Sequence, residues 1–208
     1  MDCRENQALQ AETTRILLEF LEVAITSIVF LKGVYPSGAF ERRRYMNIVV
    51  QKSRHPQLGD YIHSSVNGLR PFIEKGLVER VAVIFYNTEN MPLEKFIFKV
   101  CVNQSYGSKV EEADLEFSLR SFLIKLPVSE PVTKALPLGC MWEITAYFRS
   151  LPQASTSKDA ELWIPTDTKQ WLQPPLIIPL KSMNSNALCL QLYLEHPSLS
   201  EPEPQGGT

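Results

Sequence analysis

A long and almost wholly apolar helix near the start of the chain constrains the fold most. Apolar side chains recur every three or four positions, with Phe20 on one row and Leu17 on a second, which predicts a wide apolar stripe on a helix over residues 6–34. Because so much of its circumference is apolar, this helix must be covered on more than one side. Gly33 and Pro36 are expected to end it. The chain should therefore fold around a central helix.

Length and charge exclude several classes of protein. A chain of 208 residues is long enough for one sizeable domain. Its 21 Lys and Arg against 23 Asp and Glu leave a net charge of −2, which predicts no direct nucleic-acid contact, because nonspecific DNA affinity comes from excess positive charge. The apolar run between Glu22 and Lys32 is far shorter than the roughly 20 residues of a membrane span, so no membrane contact is expected.

The rest of the chain predicts an α+β fold in which three helices pack on an antiparallel sheet. Alternating apolar residues on both sides of a short turn predict an antiparallel hairpin. The predicted elements are a strand at 45–51, a helix at 57–75, strands at 78–87 and 93–103, a helix at 111–126 and a strand at 140–149.

The final third of the chain differs in character from the rest. Short apolar pieces alternate with prolines over residues 150–196, which is too apolar for disorder and too interrupted for a regular layer. We therefore expect this segment to wrap over the surface of the preceding sheet. The prediction is one domain over residues 1–196, with a core at 6–149, and a disordered tail at 197–208.

The four cysteines predict no metal site and no disulfide framework. Cys3, Cys101, Cys140 and Cys189 are far apart and show no paired ligand spacing. Cys101 and Cys189 lie in strand-like runs, where a free cysteine behaves as a small buried apolar residue. A reducing, intracellular compartment fits this usage, and no cofactor is expected.

No catalytic constellation is recognisable, so an enzyme is not expected. The nine glycines are scattered, no Gly-x-Ser-x-Gly motif occurs, and the three histidines lack ligand spacing. The block Arg42, Arg43 and Arg44 is open to three interpretations: a nuclear signal, a phosphate contact or a solvated loop. Three arginines are few for a DNA site, which favours the loop.

Several segments, taken in order, resemble the HORMA domain family. They are EFLEVAI, VYPSGAF, HPQLGDYI, PLEKFIFKV, LRSFLIKL, PLKSM and LQLYLEH. Within that family, the sequence of these segments is most similar to the accessory, non-catalytic subunits of translesion DNA polymerase zeta. The resemblance covers about residues 10–195 and implies that residues 150–196 are a safety belt, a segment that moves between an open and a closed position.

The resemblance also implies a binding site for a partner's peptide. Tyr61, in HPQLGDYI, matches the family's peptide-contacting aromatic, and Trp163 matches the aromatic that closes the groove over an extended, proline-containing segment of the polymerase catalytic subunit. Large aromatics are also common in cores, so both could instead be core residues.

Two further surfaces follow from the same resemblance. Ile177, Gln191 and Tyr193 match positions that bind the C-terminal domain of a Y-family scaffold polymerase, and the alternative is an ordinary solvated strand face. Arg120 matches an arginine at the face where HORMA domains pair, and the alternative is a solvated helix charge.

The implied function is an adaptor that bridges two polymerases in translesion synthesis, located in the nucleus, with the cytoplasm as a second compartment. Family members are reopened by an ATP-driven remodeller, which would be a further partner. The alternative role within the same family is a mitotic or meiotic checkpoint adaptor.

Overall fold

The central helix is present and is buried as its sequence predicts. Helix α1 (Cys3–Leu31) places Leu17, Leu21 and Ile25 at full burial. Phe20 packs edge-on against Phe98 and Phe122, with ring centroids 6.2 and 5.9 Å apart. Burial of one such side chain contributes about 1.5–3 kcal/mol to folding.

The computed structural model describes residues 3–103, 112–133, 135–150, 163–166, 171 and 173–197, without the side chains of 3–10 and 112. In this part of the chain, no helix has the length and apolar composition needed to cross a membrane. The other helices are α2 (Pro56–Asn67), α3 (Arg70–Glu74) and α4 (Glu112–Val128), and 3-10 turns occur at Ser37–Ala39 and Glu130–Val132. The strands are β1 (Phe40–Tyr45), β2 (Ile48–Ser53), β3 (Val78–Tyr86), β4 (Pro92–Val102), β5 (Met141–Phe148), β6 (Leu176–Asn184) and β7 (Leu188–His196).

Five strands form one antiparallel sheet in the order β5-β3-β4-β7-β6. Its inner face packs on the helices, because alternate residues such as Phe96 and Phe98 join the same buried cluster as α1 and α4. Its outer face carries a smaller apolar cluster, centred on Ile84 and Ile97. The predicted fold class is confirmed.

The first predicted strand is a hairpin instead. Strands β1 and β2 pair along their whole length across a two-residue turn at Met46 and Asn47, both of which have positive φ. The predicted strand at 45–51 is correct for Tyr45 and for residues 48–51, but it missed the turn and the partner strand β1. The favoured loop at the arginines was wrong, although Arg42, Arg43 and Arg44 are exposed. A strand whose exposed face is wholly charged lacks the alternation by which strands are recognised.

The predicted helix at 57–75 divides into α2 and α3 around Gly68 and Leu69. Pro71 explains the break, since it has no N–H to donate to the carbonyl of Asn67, four residues earlier. Pro127 was expected to stop the third helix but lies inside α4, one residue before its end.

Residues 176–196 enter the sheet as β6 and β7, which corrects the expectation that they would lie on the sheet's surface. Strand β7 pairs with β4, and β6 adds to β7 as the edge strand. Leu190, Leu192 and Leu194 alternate inward, so this stretch is a regular strand. Pro179 is tolerated because it lies in an edge strand beside a register shift. Of the predicted tail, only Pro197 lies among the described residues.

The expected burial of two cysteines was also wrong. Cys101 is exposed and Cys189 is half-buried. Each lies on the strand face opposite to its inward neighbours Val100 and Leu190. Both thiols therefore project from the outer face of the sheet.

Candidate functional site

Strand β5 offers an open backbone edge. It pairs with β3 on one side, and among the described residues no strand pairs with its other side. The N–H of Ile144 donates to the Tyr61 hydroxyl at 3.1 Å instead of to β3, so Ile144 directs its backbone groups to this open edge. The backbone groups of every second residue in a strand point to the same side, so those of Trp142, Ala146 and Phe148 also face the open edge. An extended peptide could pair here as a sixth strand.

Aromatic side chains cluster around the first half of this edge. Tyr61 is 40% exposed, and its ring packs edge-on against Trp142, with centroids 5.4 Å apart. The Trp142 indole N–H donates to the Tyr35 hydroxyl at 3.1 Å. Burial raises the pKa of Tyr61, so its hydroxyl remains protonated at neutral pH and can both donate and accept.

Trp163 lies at the other end of the same edge. Its ring packs edge-on against Phe148 at 6.3 Å, and Phe148 packs on Phe72 at 5.1 Å. The Trp163 indole N–H donates to the Gly68 carbonyl at 3.4 Å. A Cβ at Gly68 would lie 3.3 Å from this indole nitrogen, so glycine permits the close approach.

These contacts define the open β5 edge, bounded by Tyr61 and Trp142 at one end and by Trp163 and Phe148 at the other. From Trp142 to Phe148 the strand extends about 20 Å, which accommodates an extended ligand of roughly six residues. Tyr35 and Trp142 were not predicted as site residues. Trp142 lies in a run predicted to be a strand, but nothing in the sequence shows which strand lies at an edge, and Tyr35 lies in a bend after α1.

The described parts of the segment predicted as a belt lie at two separated places on the sheet. Trp163 contacts the β5 end, whereas Trp171 lies at β7 and donates its indole N–H to Glu195 at 3.0 Å. The Lys95 ammonium lies 4.7 Å from the centre of the Trp171 ring. Burial lowers the pKa of Lys95, and the Glu195 carboxylate opposes this effect.

A buried cluster of Lys32, Glu94 and His196 connects the end of β7 to neighbouring elements on the inner face of the sheet. Lys32 Nζ lies 2.5 Å from Glu94 Oε2, with side-chain exposures of 2% and 0%. His196, the last residue of β7, has Nε2 3.5 Å from Glu94 Oε1 and 3.1 Å from the Val132 carbonyl oxygen. The belt end is thus tied to the C-terminal end of α1, to β4 and to the turn after α4.

The three residues predicted to bind the scaffold polymerase lie together on the outer face of β6 and β7. Gln191 is exposed and Tyr193 is half-buried two residues along the same face. Ile177 is 55% exposed and lies opposite Glu195 in the register. Burial raises the pKa of Tyr193, while a hydrogen bond from Arg80 to its hydroxyl acts in the opposite direction.

Arg120 lies on α4, partly exposed, beside an apolar stripe. Phe117, at 74% exposure, and the exposed side chains of Ile124 and Val128 follow one another along this face of the helix. An exposed stripe of this kind is typical of a protein contact.

The part of the chain that the structure describes contains no group of three His, Cys, Asp or Glu side chains that could hold a metal ion. The geometry offers an open strand edge, an aromatic lining and a C-terminal segment whose described residues contact both β5 and β4.

A family model described as the HORMA domain matches residues 14–157. The chain belongs to the HORMA domain family. An Arabidopsis thaliana protein named DNA polymerase zeta processivity subunit is 65% identical over 199 residues, which cover 96% of this chain and 93% of that protein. The Danio rerio protein named mitotic spindle assembly checkpoint protein MAD2B is 35% identical over 187 residues, or 86% and 89% of the two chains. The resemblance to the polymerase zeta branch is therefore confirmed.

Solved structures agree on the fold. A chain in the crystal structure of the mitotic checkpoint complex superimposes with a TM-score of 0.73 at 16% identity, covering 89% of this HORMA domain protein and 98% of that chain. The C. elegans protein HTP-2, bound to the HIM-3 closure motif, gives a TM-score of 0.71 at 7% identity, covering 91% and 92%. At these identities the likeness concerns the fold alone.

Proposed function

We propose that this chain is a non-catalytic HORMA adaptor of translesion DNA synthesis. It holds a proline-containing segment of the DNA polymerase zeta catalytic subunit against the open β5 edge, under its belt. It also presents the outer face of β6 and β7 to a Y-family scaffold polymerase. The 65% identity to a polymerase zeta processivity subunit carries the choice of partner.

The open β5 edge supports peptide capture through backbone pairing. The backbone groups of Trp142, Ala146 and Phe148 are directed to the open edge, and the Ile144 N–H, which donates to the Tyr61 hydroxyl, points the same way. Hydrogen bonds from a ligand to these backbone groups give affinity that does not depend on ligand sequence. Tyr61 and Trp163 supply aromatic anchors at its two ends, and such anchors dominate interface energies. A proline in the ligand reduces the entropy lost on ordering.

The belt supports slow release. It contacts β5 through Trp163, and it contacts β4 through Trp171, whose ring lies beside Lys95, and through His196, which lies beside Glu94. A peptide beneath such a segment leaves only after the segment moves, so the dissociation rate reflects belt opening.

The deciding experiment is a binding titration with a fluorescent peptide from the catalytic subunit. Tyr61→Ala and Trp163→Ala are each expected to weaken binding more than tenfold, which is about 1.4 kcal/mol. Phe117→Ala is a matched control, because it removes an exposed aromatic from α4 and leaves the β5 edge untouched. No binding by the wild-type chain would refute the polymerase assignment.

The scaffold-polymerase surface has its own test. Ile177→Ala and Tyr193→Ala should weaken binding of the scaffold C-terminal domain without changing affinity for the peptide. If both substitutions left scaffold binding intact, the outer face of β6 and β7 would not be the contact. HORMA pairing through Arg120 is tested by sedimentation of Arg120→Ala, which should shift any dimer toward monomer.

A checkpoint adaptor is the second candidate, supported by the MAD2B name of several relatives at about 35% identity. It shares the belt mechanism and differs only in the ligand. Tight capture of a checkpoint-protein peptide, with no capture of the polymerase peptide, would favour it. The nucleus is the proposed location in both cases, and the remodeller is a further proposed partner.

A further inference from the structure

Two cysteines lie directly opposite each other where the belt joins the core sheet. Cys101 on β4 and Cys189 on β7 are partners in the antiparallel register. Both are free thiols, and both project from the outer face of the sheet, Cys101 exposed and Cys189 half-buried. Eighty-eight positions separate them in sequence, so only the fold brings them together.

The backbone spacing at this position allows a disulfide. The Asn103 N–H donates to the Ala187 carbonyl at 2.9 Å, which makes that facing pair a hydrogen-bonded one. Hydrogen-bonded pairs alternate along a ladder, so Cys101 and Cys189 also form such a pair, with Cα atoms about 5.5 Å apart. Disulfides span Cα separations of about 4.4–6.8 Å.

The same spacing indicates a bond that is easily reduced. Cβ atoms in facing pairs lie about 4.5–5.5 Å apart, toward or beyond the upper end of the roughly 3.5–4.5 Å that disulfides prefer. Strained and exposed disulfides have higher reduction potentials and belong to the labile, regulatory kind. A pair of this type remains reduced in an intracellular compartment until an oxidant acts on it.

We propose that Cys101 and Cys189 form a reversible disulfide that fixes the belt to the core sheet. The oxidant is a peroxide. The more exposed Cys101 thiolate attacks one peroxide oxygen: an S–O bond forms, the O–O bond breaks, and water leaves after protonation. The Cys189 thiol then attacks the Cys101 sulfur, the S–S bond forms, and the S–O bond breaks with release of a second water.

The step is balanced, since two thiols lose two electrons and two protons while the peroxide becomes two waters. A dithiol reductant reverses it by thiol–disulfide exchange. The disulfide blocks separation of β7 from β4, because the bond crosses the line along which the two strands part. A peptide held under the belt would then remain bound until the disulfide is reduced; this consequence rests on the proposed function, whereas the disulfide itself does not.

The first test maps the bond in the full-length chain without any peptide. Protein treated with hydrogen peroxide is alkylated, digested without reduction and analysed by mass spectrometry. The expected product is a cross-linked peptide joining Cys101 to Cys189 that disappears with dithiothreitol. Cys101→Ser and Cys189→Ser should abolish it, whereas Cys140→Ser should not, because Cys140 precedes β5 and lies outside the β4–β7 pairing that brings Cys101 and Cys189 together.

The second test measures the belt. Amide hydrogen exchange across residues 188–196 should slow at least tenfold on oxidation in the wild type and in Cys140→Ser, and should not change in Cys101→Ser. Two results of the mapping would overturn the proposal: only sulfinic or sulfonic acids at these positions, or only bonds between two copies of the chain. A mapped bond without slower exchange would overturn its role in fixing the belt.

Discussion

Replacement of Glu94 by Gln tests whether the buried charged group supports the fold. Glu94 contacts Lys32 at 2.5 Å, and both side chains are almost completely removed from water. The Lys32 ammonium also lies 5.9 Å from the centre of the Phe85 ring. Glutamine has nearly the same shape as glutamate, so Glu94→Gln changes the charge without creating a cavity. It removes the carboxylate that faces a buried ammonium.

The expected loss is large on the scale of a single domain. Removing one partner of a buried ion pair destabilises by about 3–5 kcal/mol. Domains of 150–250 residues lose roughly 2–4 °C in Tm per kcal/mol, so Tm should fall by about 6–20 °C. Calorimetry, with circular dichroism as a second probe, measures this change.

Two companion variants separate charge from packing. Lys32→Met combined with Glu94→Leu removes both buried charges and should recover most of the lost stability, because apolar replacements of buried pairs are often neutral or stabilising. Glu19→Ala breaks an exposed contact with Arg15 and should cost no more than about 0.5 kcal/mol. A Glu94→Gln variant that melts within 2 °C of wild type (about 1 kcal/mol or less) would refute the reasoning.

Three further outcomes follow from the described contacts. His196→Ala removes the contacts with Glu94 and with the Val132 carbonyl, so amide exchange should become faster in β7 than in β3 relative to the wild type. Equal acceleration in both strands would contradict a local role for His196. Gly68→Ala should weaken peptide binding at least fivefold in the same fluorescence titration. Its Cβ would lie 3.2 Å from the Ser64 carbonyl oxygen and 3.3 Å from the Trp163 indole nitrogen, so the indole must shift by a few tenths of an ångström. Unchanged affinity would count against a role for the Trp163 contact. Burial raises the pKa of Tyr45 and Tyr86, so their contribution to stability is present below the ordinary tyrosine pKa of about 10 and is lost as pH rises above it. The free energy of unfolding should fall by at most about 2.7 kcal/mol per pH unit for the two groups together. Urea unfolding at alkaline pH should show this loss, and Tyr86→Phe should reduce it.

Helices and strands with a strong periodicity of apolar residues were predictable, because burial of one apolar face determined each of them. Helix α1 is apolar on several rows and has no alternative but to be central. Strands β3 and β4 alternate cleanly and are joined by a short turn, so their pairing needed no knowledge of the rest of the fold. The candidate residues Tyr61 and Trp163 came from resemblance to a family, and composition or spacing alone would not have distinguished them from core aromatics.

The features that escaped prediction depend on which strands become neighbours. Trp142 lines the open edge only because β5 ends the sheet, and Cys101 faces Cys189 only because β7 adds beside β4. Lys32 and Glu94 are distant in sequence, and each residue considered by itself predicts an exposed charged side chain. Side-chain alternation shows which face a residue occupies, but strand order is a property of the whole chain.

On the proposed function, the order of strands also explains how one sheet can serve both a ligand and a belt. A five-stranded open sheet has two edges, and the belt supplies β7 and β6 at the β4 side. The β5 side is thereby left open, with its backbone groups directed outward beside Tyr61. If the belt strands paired with β5 instead, they would occupy the hydrogen-bonding groups that a peptide needs, so belt position and peptide access exclude each other at that edge. Contacts that hold β7 beside β4 are made by His196 with Glu94 on the inner face and by Trp171 with Lys95 and Glu195 on the outer face. On the proposed function, these contacts favour peptide capture without touching the peptide.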